Sequence, residues 1–209
     1  MNRNNLLTTR NMVVIAILGA VAGLLMLVEL PLTFVAPNFY KLDISEVPVM
    51  IGTFALGPVA GVLVELVKLL VKFVIKGSST GGVGELANFL IGCALVIPAG
   101  LIYQRKKTKK RAMIGMGAGV LIMAAAGLVI NALVLLPFYA TALFETKEKG
   151  MAILIAAGAK IFPQIDSVWS FALWCVVPFN LIKGAVVFLL TMLLYKRVSR
   201  LIKEAGRKA

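Results

Sequence analysis

The chain has 209 residues, of which 60% are hydrophobic, and it carries a formal net charge of +13. Its mean hydropathy of +0.97 lies well above that of a soluble globular domain and predicts an all-α integral membrane protein. With no histidine and only two cysteines, the chain offers almost no ligands for zinc or haem, so we predict no metal site.

Apolar stretches predict six transmembrane helices, since about 20 apolar residues cross a bilayer core of about 30 Å. The clearest stretch, Ala112 to Phe144, has 33 residues without a charge. The basic segment before the first span precedes no small-residue cleavage site, so we expect that helix to be retained. The predicted spans of this single membrane domain, residues 1–209, are 11–30, 44–56, 59–76, 84–104, 112–141 and 167–195.

Between the fifth and sixth predicted spans lies the segment Glu145–Asp166, in which only Met151–Ala159 is apolar. That stretch is too short to cross a bilayer. We interpret it as an interfacial helix or a lid on the outer face, with a segment that merely packs over the bundle as an equal alternative.

Basic residues concentrate in the loop 105–111 and in the tail 196–209. The terminal segments and the loops on their side carry fourteen lysines and arginines, against five in the opposite loops. The positive-inside rule therefore predicts that both termini are cytoplasmic. Because these charges flank apolar spans, we attribute them to anionic lipid headgroups of the bilayer and predict no nucleic-acid partner.

Polar side chains inside the predicted spans cluster in the outer half of the membrane. Asn131 lies in span 5, and Asn180 and Lys183 share one face of span 6, three residues apart. Such groups are costly in a bilayer and are candidates for function. The outer ends of spans 4 and 2 add further polar groups, namely Glu85, Asn88, Asp43 and Glu46.

Two amides and one ammonium at similar depth suit a flat heterocycle that carries carbonyls and ring N–H groups. The alternative is hydrogen bonding between helices, which asparagines also form in membranes. Several aromatic side chains lie near enough in sequence to stack on such a ring: Phe138, Tyr139, Trp169, Trp174 and Phe179.

Span 3 carries a charged stripe of Glu65, Lys68 and Lys72. We expect Glu65 and Lys68 to pair within the helix and Lys72 to extend towards the outer surface. A structural role is favoured over an ion path. On span 1, Ala16-xxx-Ala20 and Gly19-xxx-Gly23 form a small-residue face that suits either a docking surface for another membrane protein or internal packing.

Neither a phosphate-binding loop of the form G-x-x-x-x-G-K-[ST] nor a catalytic serine–histidine or paired-carboxylate pattern occurs in the sequence. The chain is therefore predicted to bind a ligand, with no catalytic residues of its own.

The sequence resembles the substrate-binding S components of energy-coupling factor (ECF) vitamin importers. The resemblance begins with KLDISEVP at residues 41–48, followed by Gly52-xxxx-Gly57-Pro58. Three further segments are similar to the riboflavin-specific members: GELANF at 84–89, NALVLLPFY at 131–139 and PFNLIKG at 178–184. The resemblance covers nearly the whole chain.

This resemblance implies a six-helix S-component fold in a prokaryotic plasma membrane, with riboflavin bound near the outer face as transported ligand rather than cofactor. It implies that Asn131, Asn180 and Lys183 hydrogen-bond the isoalloxazine ring, and that Ala16 and Ala20 dock on a transmembrane coupling subunit driven by two separate ATPase subunits. Other candidate binding residues come from the first loop and the outer ends of the spans: Tyr40, Leu42, Asp43, Glu85, Asn88 and Tyr139.

Three alternatives remain open at this point. The chain could be an S component for a different vitamin, or a self-sufficient secondary transporter that uses Asp43, Glu65 and Lys68 as an ion path, although no inverted repeat is evident. It could also be an intramembrane enzyme acting on lipid headgroups, for which it lacks a cluster of nucleophiles or metal-binding carboxylates.

Overall fold

Helices dominate the computed structural model, which describes residues 8–78, 80–142 and 144–207, with side chains described as far as residue 195. The side chains of the basic tail thus lie outside the described residues. In chain order the helices are α1 (Thr9–Leu25), α2 (Glu46–Leu56), α3 (Pro58–Lys76), α4 (Val83–Arg105), α5 (Lys109–Ile130), α6 (Leu136–Ala142), α7 (Lys147–Ala159), α8 (Val168–Phe171) and α9 (Val177–Arg207).

Two π-helical segments interrupt the longest helices. Asn131–Leu135 joins α5 to α6, and Ala172–Val176 joins α8 to α9. Each precedes a proline by two residues, Pro137 and Pro178. Since proline has no N–H to donate, the regular pattern is disturbed at both places, and the preceding amide bonds five residues back instead of four. Neither segment was foreseen from the sequence.

Side-chain caps and one glycine turn set several helix ends. The hydroxyls of Thr8, Thr108 and Thr146 each accept a hydrogen bond from the amide three residues later, at the starts of α1, α5 and α7. Gly57, at φ 107°, links α2 to α3, a backbone conformation that a side chain would strain. Pro58 then occupies the first turn of α3, where its missing N–H costs nothing.

The first loop contains a short antiparallel ladder, a feature absent from the purely helical prediction. β1 (Leu30–Pro31) pairs with β2 (Lys41–Leu42), so that Leu30 lies opposite Leu42. Two-residue strands are too short to leave an alternating pattern in the sequence. The ladder ties the two ends of the loop together in front of α2.

By length and composition, three helical stretches can cross a membrane: Val83–Arg105, Lys109–Ala142 and Val168–Tyr195. The other three predicted spans are shorter or charged. α1 ends at Leu25 rather than near Leu30, α2 has 11 residues, and α3 carries the charged stripe. The structure therefore supports a largely helical membrane protein, while the count of six spans remains a prediction.

Two apolar clusters form the core. The first contains residues of α1, α2, α3, α4, α5 and α9, among them Met50, Phe54 and Met116. The second contains residues of the first loop, α6, α7 and α8, among them Leu136 and Phe171. We call the end of the bundle that holds β1 and β2 the loop pole, and the end that holds residues 105–109 the basic pole.

The helix α7 packs on α6 and α8. At Gly150 its backbone lies against Ala140, and at Gly158 it lies against Phe171, closer than a Cβ would allow. None of its described residues lines the cavity at the loop pole. These contacts support the interpretation of this segment as one that packs over the bundle, and an interfacial helix or a lid on the outer face stays a prediction.

Candidate functional site

A cavity of about 290 Å³ lies at the loop pole, between the first loop and the adjacent ends of α3, α4, α5, α6 and α9. This volume is at the lower end of the range for small-molecule sites, roughly 300–1,000 Å³. Met123 from the first apolar cluster and Phe179 from the second both line it, so the cavity lies where the two clusters meet.

The cavity brings together most of the residues that the sequence singled out for ligand binding. Eight of the nine line its wall: Tyr40, Asp43, Glu85, Asn88, Asn131, Tyr139, Asn180 and Lys183. The ninth, Leu42, lies in β2 and is not among the lining residues found in the described part of the chain.

Asn131 and Asn180 are both buried, with 1% and 5% of their surface exposed. Each amide nitrogen donates to the carbonyl four residues earlier in its own helix, 2.8 Å to Gly127 and 2.9 Å to Val176. The Tyr40 hydroxyl donates to Asn131 Oδ1 over 2.6 Å, which links the first loop to α5. Asn131 Oδ1 therefore has one lone pair occupied by Tyr40, whereas no described residue donates to Asn180 Oδ1.

Lys183 forms a buried ion pair with Asp43, with 2.9 Å between Nζ and Oδ2. The other Asp43 oxygen accepts hydrogen bonds from the amide and the hydroxyl of Ser45. Burial would raise the pKa of Asp43, but the ammonium groups of Lys183 and Lys68 and these hydrogen bonds lower it to about 2. The first loop is thus fixed to α9 by a charged contact beside the cavity.

A second charged cluster adjoins the cavity: its member Glu46 lines the wall, whereas Glu65 and Lys68 are not among the lining residues. Lys68 is fully buried and pairs with Glu46 at 2.7 Å and with Glu65 at 2.5 Å, and it lies 3.5 Å from Asn88 Oδ1. Within the described residues, Glu65 Oε2 and Glu46 Oε2 have no hydrogen-bond partner. The predicted pairing of Glu65 with Lys68 is confirmed, and Glu46 from α2 joins it.

The partner of Lys72 was not predicted. Lys72 lines the cavity at the loop pole and pairs with Glu85 from the first turn of α4, while its extension towards the outer surface stays a prediction. Glu85 also accepts hydrogen bonds from the hydroxyls of Ser78 and Thr80. The spacing within α3 could not reveal this partner, because the partner belongs to another helix.

At the cavity mouth, Lys41 and Lys76 share one carboxylate oxygen of Glu29, at 2.9 and 2.6 Å. Burial alone would raise the pKa of Glu29, yet the hydrogen bonds and charges of the two lysines lower it. The three residues connect the first loop to the end of α3.

Aromatic side chains surround the cavity, although not the full set proposed from the sequence. Tyr139 and Phe179 line it, whereas Phe138, Trp169 and Trp174 are not among the lining residues described. The sequence analysis missed Phe39, which lines the cavity with 42% of its surface exposed and lies within 4.8 Å of the Tyr40 ring centre. Its position in a loop, outside any periodic pattern, gave no signal.

The arrangement can hold a flat polar ligand. Asn131 and Asn180 offer carbonyl acceptors, and Lys183 has three donors, of which Asp43 uses one. Aromatic rings supply apolar surface beside these groups. Among the described residues no cluster of three or more histidine, cysteine, aspartate or glutamate side chains has a geometry that would hold a metal ion.

The small-residue face of α1 divides into two parts. Gly19 and Gly23 are buried, and a Cβ at either position would lie within 2.6 Å of Val67 or Val71 on α3. This pair therefore serves internal packing. Ala16 is exposed and Ala20 half-buried, so part of the face remains accessible from outside the bundle.

Comparison with known proteins identifies the class. A family model described as "ECF transporter, substrate-specific component" matches residues 10–195, and the chain belongs to that family. A solved structure of the S component of a bacterial ECF transporter superposes with a TM-score of 0.68 at 31% identity, covering 92% of this chain and 96% of that one.

The chain is also similar in sequence to proteins named as riboflavin transporters. The chain is 31% identical to "Riboflavin transporter RibU" of Staphylococcus aureus, over 96% of each protein. It is 28% identical to "Riboflavin transporter FmnP" of Bacillus subtilis, over 93% of this chain and 95% of the relative, and 27% identical to a RibU of Streptococcus thermophilus, over 92% and 85%.

These comparisons confirm several predictions. The resemblance to S components is confirmed by the family match, and so are a membrane location and a transport role, since the relatives are transporters rather than enzymes. The roles of individual binding residues stay predictions.

Proposed function

We propose that the protein is a substrate-binding membrane subunit that captures riboflavin outside the cell and delivers it inward together with an ECF module. The observation that supports this most directly is the cavity, in which Asn131, Asn180 and Lys183 come together from two helices. The riboflavin transporters to which the chain is similar over most of its length favour the same ligand.

The cavity wall matches the chemistry of an isoalloxazine ring, which is flat and aromatic and carries two carbonyls and an imide N–H at one edge. The Lys183 ammonium would donate to a ring carbonyl, and Asn180 Oδ1 would accept from the imide N–H. Phe39, Tyr139 and Phe179 would contact the faces and edges of the ring. Riboflavin is then cargo and not a cofactor.

In the proposed topology the chain forms one membrane domain of six spans, with both termini in the cytoplasm. The loop pole then faces the outside, which gives the cavity access to external riboflavin. The excess of basic residues in the loop 105–111 and in the tail supports this orientation.

Transport requires an energy source, which in our proposal is a transmembrane coupling subunit with two ATPase subunits on separate chains. Ala16 and Ala20 would form the docking face on α1. Their partial exposure supports this role, because small exposed residues allow a partner helix to approach closely.

A self-sufficient ion-coupled transporter is less well supported. Its proposed ion path runs through Glu65 and Lys68, yet both side chains are fully buried and closed into ion pairs behind the cavity wall. A different vitamin is less well supported as the ligand, since the relatives described above are riboflavin transporters.

The test is riboflavin binding by the isolated chain, purified in detergent. Because the cavity needs no partner, we expect titration calorimetry to give a saturable heat and the flavin fluorescence to be quenched at one ligand per chain. Protein of native thermal stability that gives neither signal would refute riboflavin as the ligand. Thiamine and biotin serve as control ligands and should give no heat.

A further inference from the structure

Gly127 occupies an unusual position beside the cavity. A Cβ at this residue would lie 2.7 Å from Asn180 Nδ2 and 3.2 Å from Asn180 Cγ, whereas no other side chain atom comes closer than 3.6 Å. The amide of Asn180, from α9, therefore fills the space above α5 that a side chain at residue 127 would take.

The same glycine also serves the other asparagine. Its carbonyl oxygen accepts the amide hydrogen of Asn131 at 2.8 Å. The side-chain amide of Asn180 donates a hydrogen bond to the carbonyl oxygen of Val176 over 2.9 Å. Each side chain thus directs one amide hydrogen to a backbone carbonyl. Asn131 Oδ1 already accepts from the Tyr40 hydroxyl, so Asn180 Oδ1, to which no described residue donates, is the acceptor left for a ligand.

We propose that Gly127 is a positioning residue that lets Asn180 approach α5, so that Asn180 presents its Oδ1 to the ligand as a hydrogen-bond acceptor. This inference rests on the proposed binding function and adds a rule of specificity. The ligand must bring an N–H donor to this wall of the cavity, as the imide N–H of a flavin does. A ligand with the same shape but without that donor leaves a buried acceptor unpaired.

The experiment compares riboflavin with 3-methylriboflavin, in which a methyl group replaces the imide hydrogen. Affinities are measured by fluorescence quenching for the wild type, Gly127→Ala, Asn180→Ala and the double variant. Gly117→Ala is the matched control, since it lies on the same helix with nothing within 4 Å of its Cβ position.

We expect the wild type and Gly117→Ala to prefer riboflavin by about fivefold or more, because an unpaired buried acceptor lowers the affinity by at least that factor. Gly127→Ala displaces the Asn180 amide, so it should bind riboflavin about tenfold more weakly and lose most of the preference. The double variant should match Asn180→Ala in both affinity and preference, because removal of the Asn180 amide makes room for the new methyl group.

The inference is overturned if Gly127→Ala keeps the wild-type preference, or if the double variant shows the sum of the two single losses. Thermal midpoints of the ligand-free proteins test the contact itself: Gly127→Ala should melt below the wild type, and the double variant should melt no lower than Asn180→Ala. A wild type that binds neither flavin would refute the proposed function, while the melting series would still decide whether Gly127 positions Asn180.

Discussion

Replacing Lys183 by methionine separates two effects that a single binding measurement would mix. Lys183 pairs with Asp43 and is also a proposed ligand contact. Methionine keeps the length and the apolar stem of the lysine but removes the charge, so Asp43, only 6% exposed, loses its nearest cation. Removing one partner of a buried pair typically costs about 3–5 kcal/mol.

For Lys183→Met we expect a loss of stability near the lower end of this range. Asp43 keeps two hydrogen bonds from Ser45, and Lys68 still contributes to lowering its pKa. We therefore expect Lys183→Met to destabilise the ligand-free protein by about 3 kcal/mol. Asp43→Asn combined with Lys183→Met should recover most of that loss, because no unpaired charge remains.

The assay combines thermal unfolding of the ligand-free protein with riboflavin titration. If Lys183 also contacts the ligand, the stable double variant should still bind riboflavin more weakly by about 1–3 kcal/mol, the usual cost of a lost hydrogen bond to a buried group. Two results would refute the reasoning: a double variant no more stable than Lys183→Met, or a stable double variant with wild-type affinity.

Three further predictions use the same two measurements together with uptake. Ala16→Trp with Ala20→Trp should bind riboflavin normally yet fail in uptake and in co-purification with a coupling subunit, whereas normal uptake would assign this face to packing. Lys68→Met should destabilise the protein by more than about 3 kcal/mol, because it leaves the buried carboxylates of Glu46 and Glu65 without their cation. An unchanged stability would show that these two carboxyl groups are not charged. Phe39→Ala should weaken riboflavin binding about tenfold with little effect on stability, because Phe39 lines the cavity and is partly exposed. Trp169 is not among the lining residues, so Trp169→Ala should change neither quantity. Equal effects of the two substitutions would show that Phe39 is not part of the binding site.

The sequence predicted the convergence of polar groups at the cavity because isolated polar side chains in a membrane are costly. Asn131, Asn180 and Lys183 stood out for that reason, and they do line one cavity. The pairing partners could not be predicted in the same way. Lys183 meets Asp43 across 140 positions of the chain, and Lys72 meets Glu85 on another helix.

A sequence pattern also does not predict which face of a helix is buried when several packing arrangements are compatible with it. Ala16, Ala20, Gly19 and Gly23 form one small-residue pattern in α1, but only contact with α3 determines that the glycines face inward. Pro137 and Pro178 lie within apolar runs and disturb the regular helix, but the π segments before them were not predicted, because the form of the irregularity depends on which carbonyls find partners.

The two π segments bear on how the candidate site tolerates changes of chain length. Each contains one residue more than a regular helical turn would need, and residues that line the cavity follow each of them in the chain. Because the amide after the first segment bonds to Asn131, five residues back, it takes the place of the amide that would bond four residues back in a regular helix. Deleting one of the residues 132–134 should therefore give a regular helix and leave Tyr139 at the cavity wall. A helix turns by about 100° per residue, so deleting one residue from the regular part of α5 between Met123 and Asn131 should instead rotate Met123 and Asn131 relative to one another and disrupt the wall.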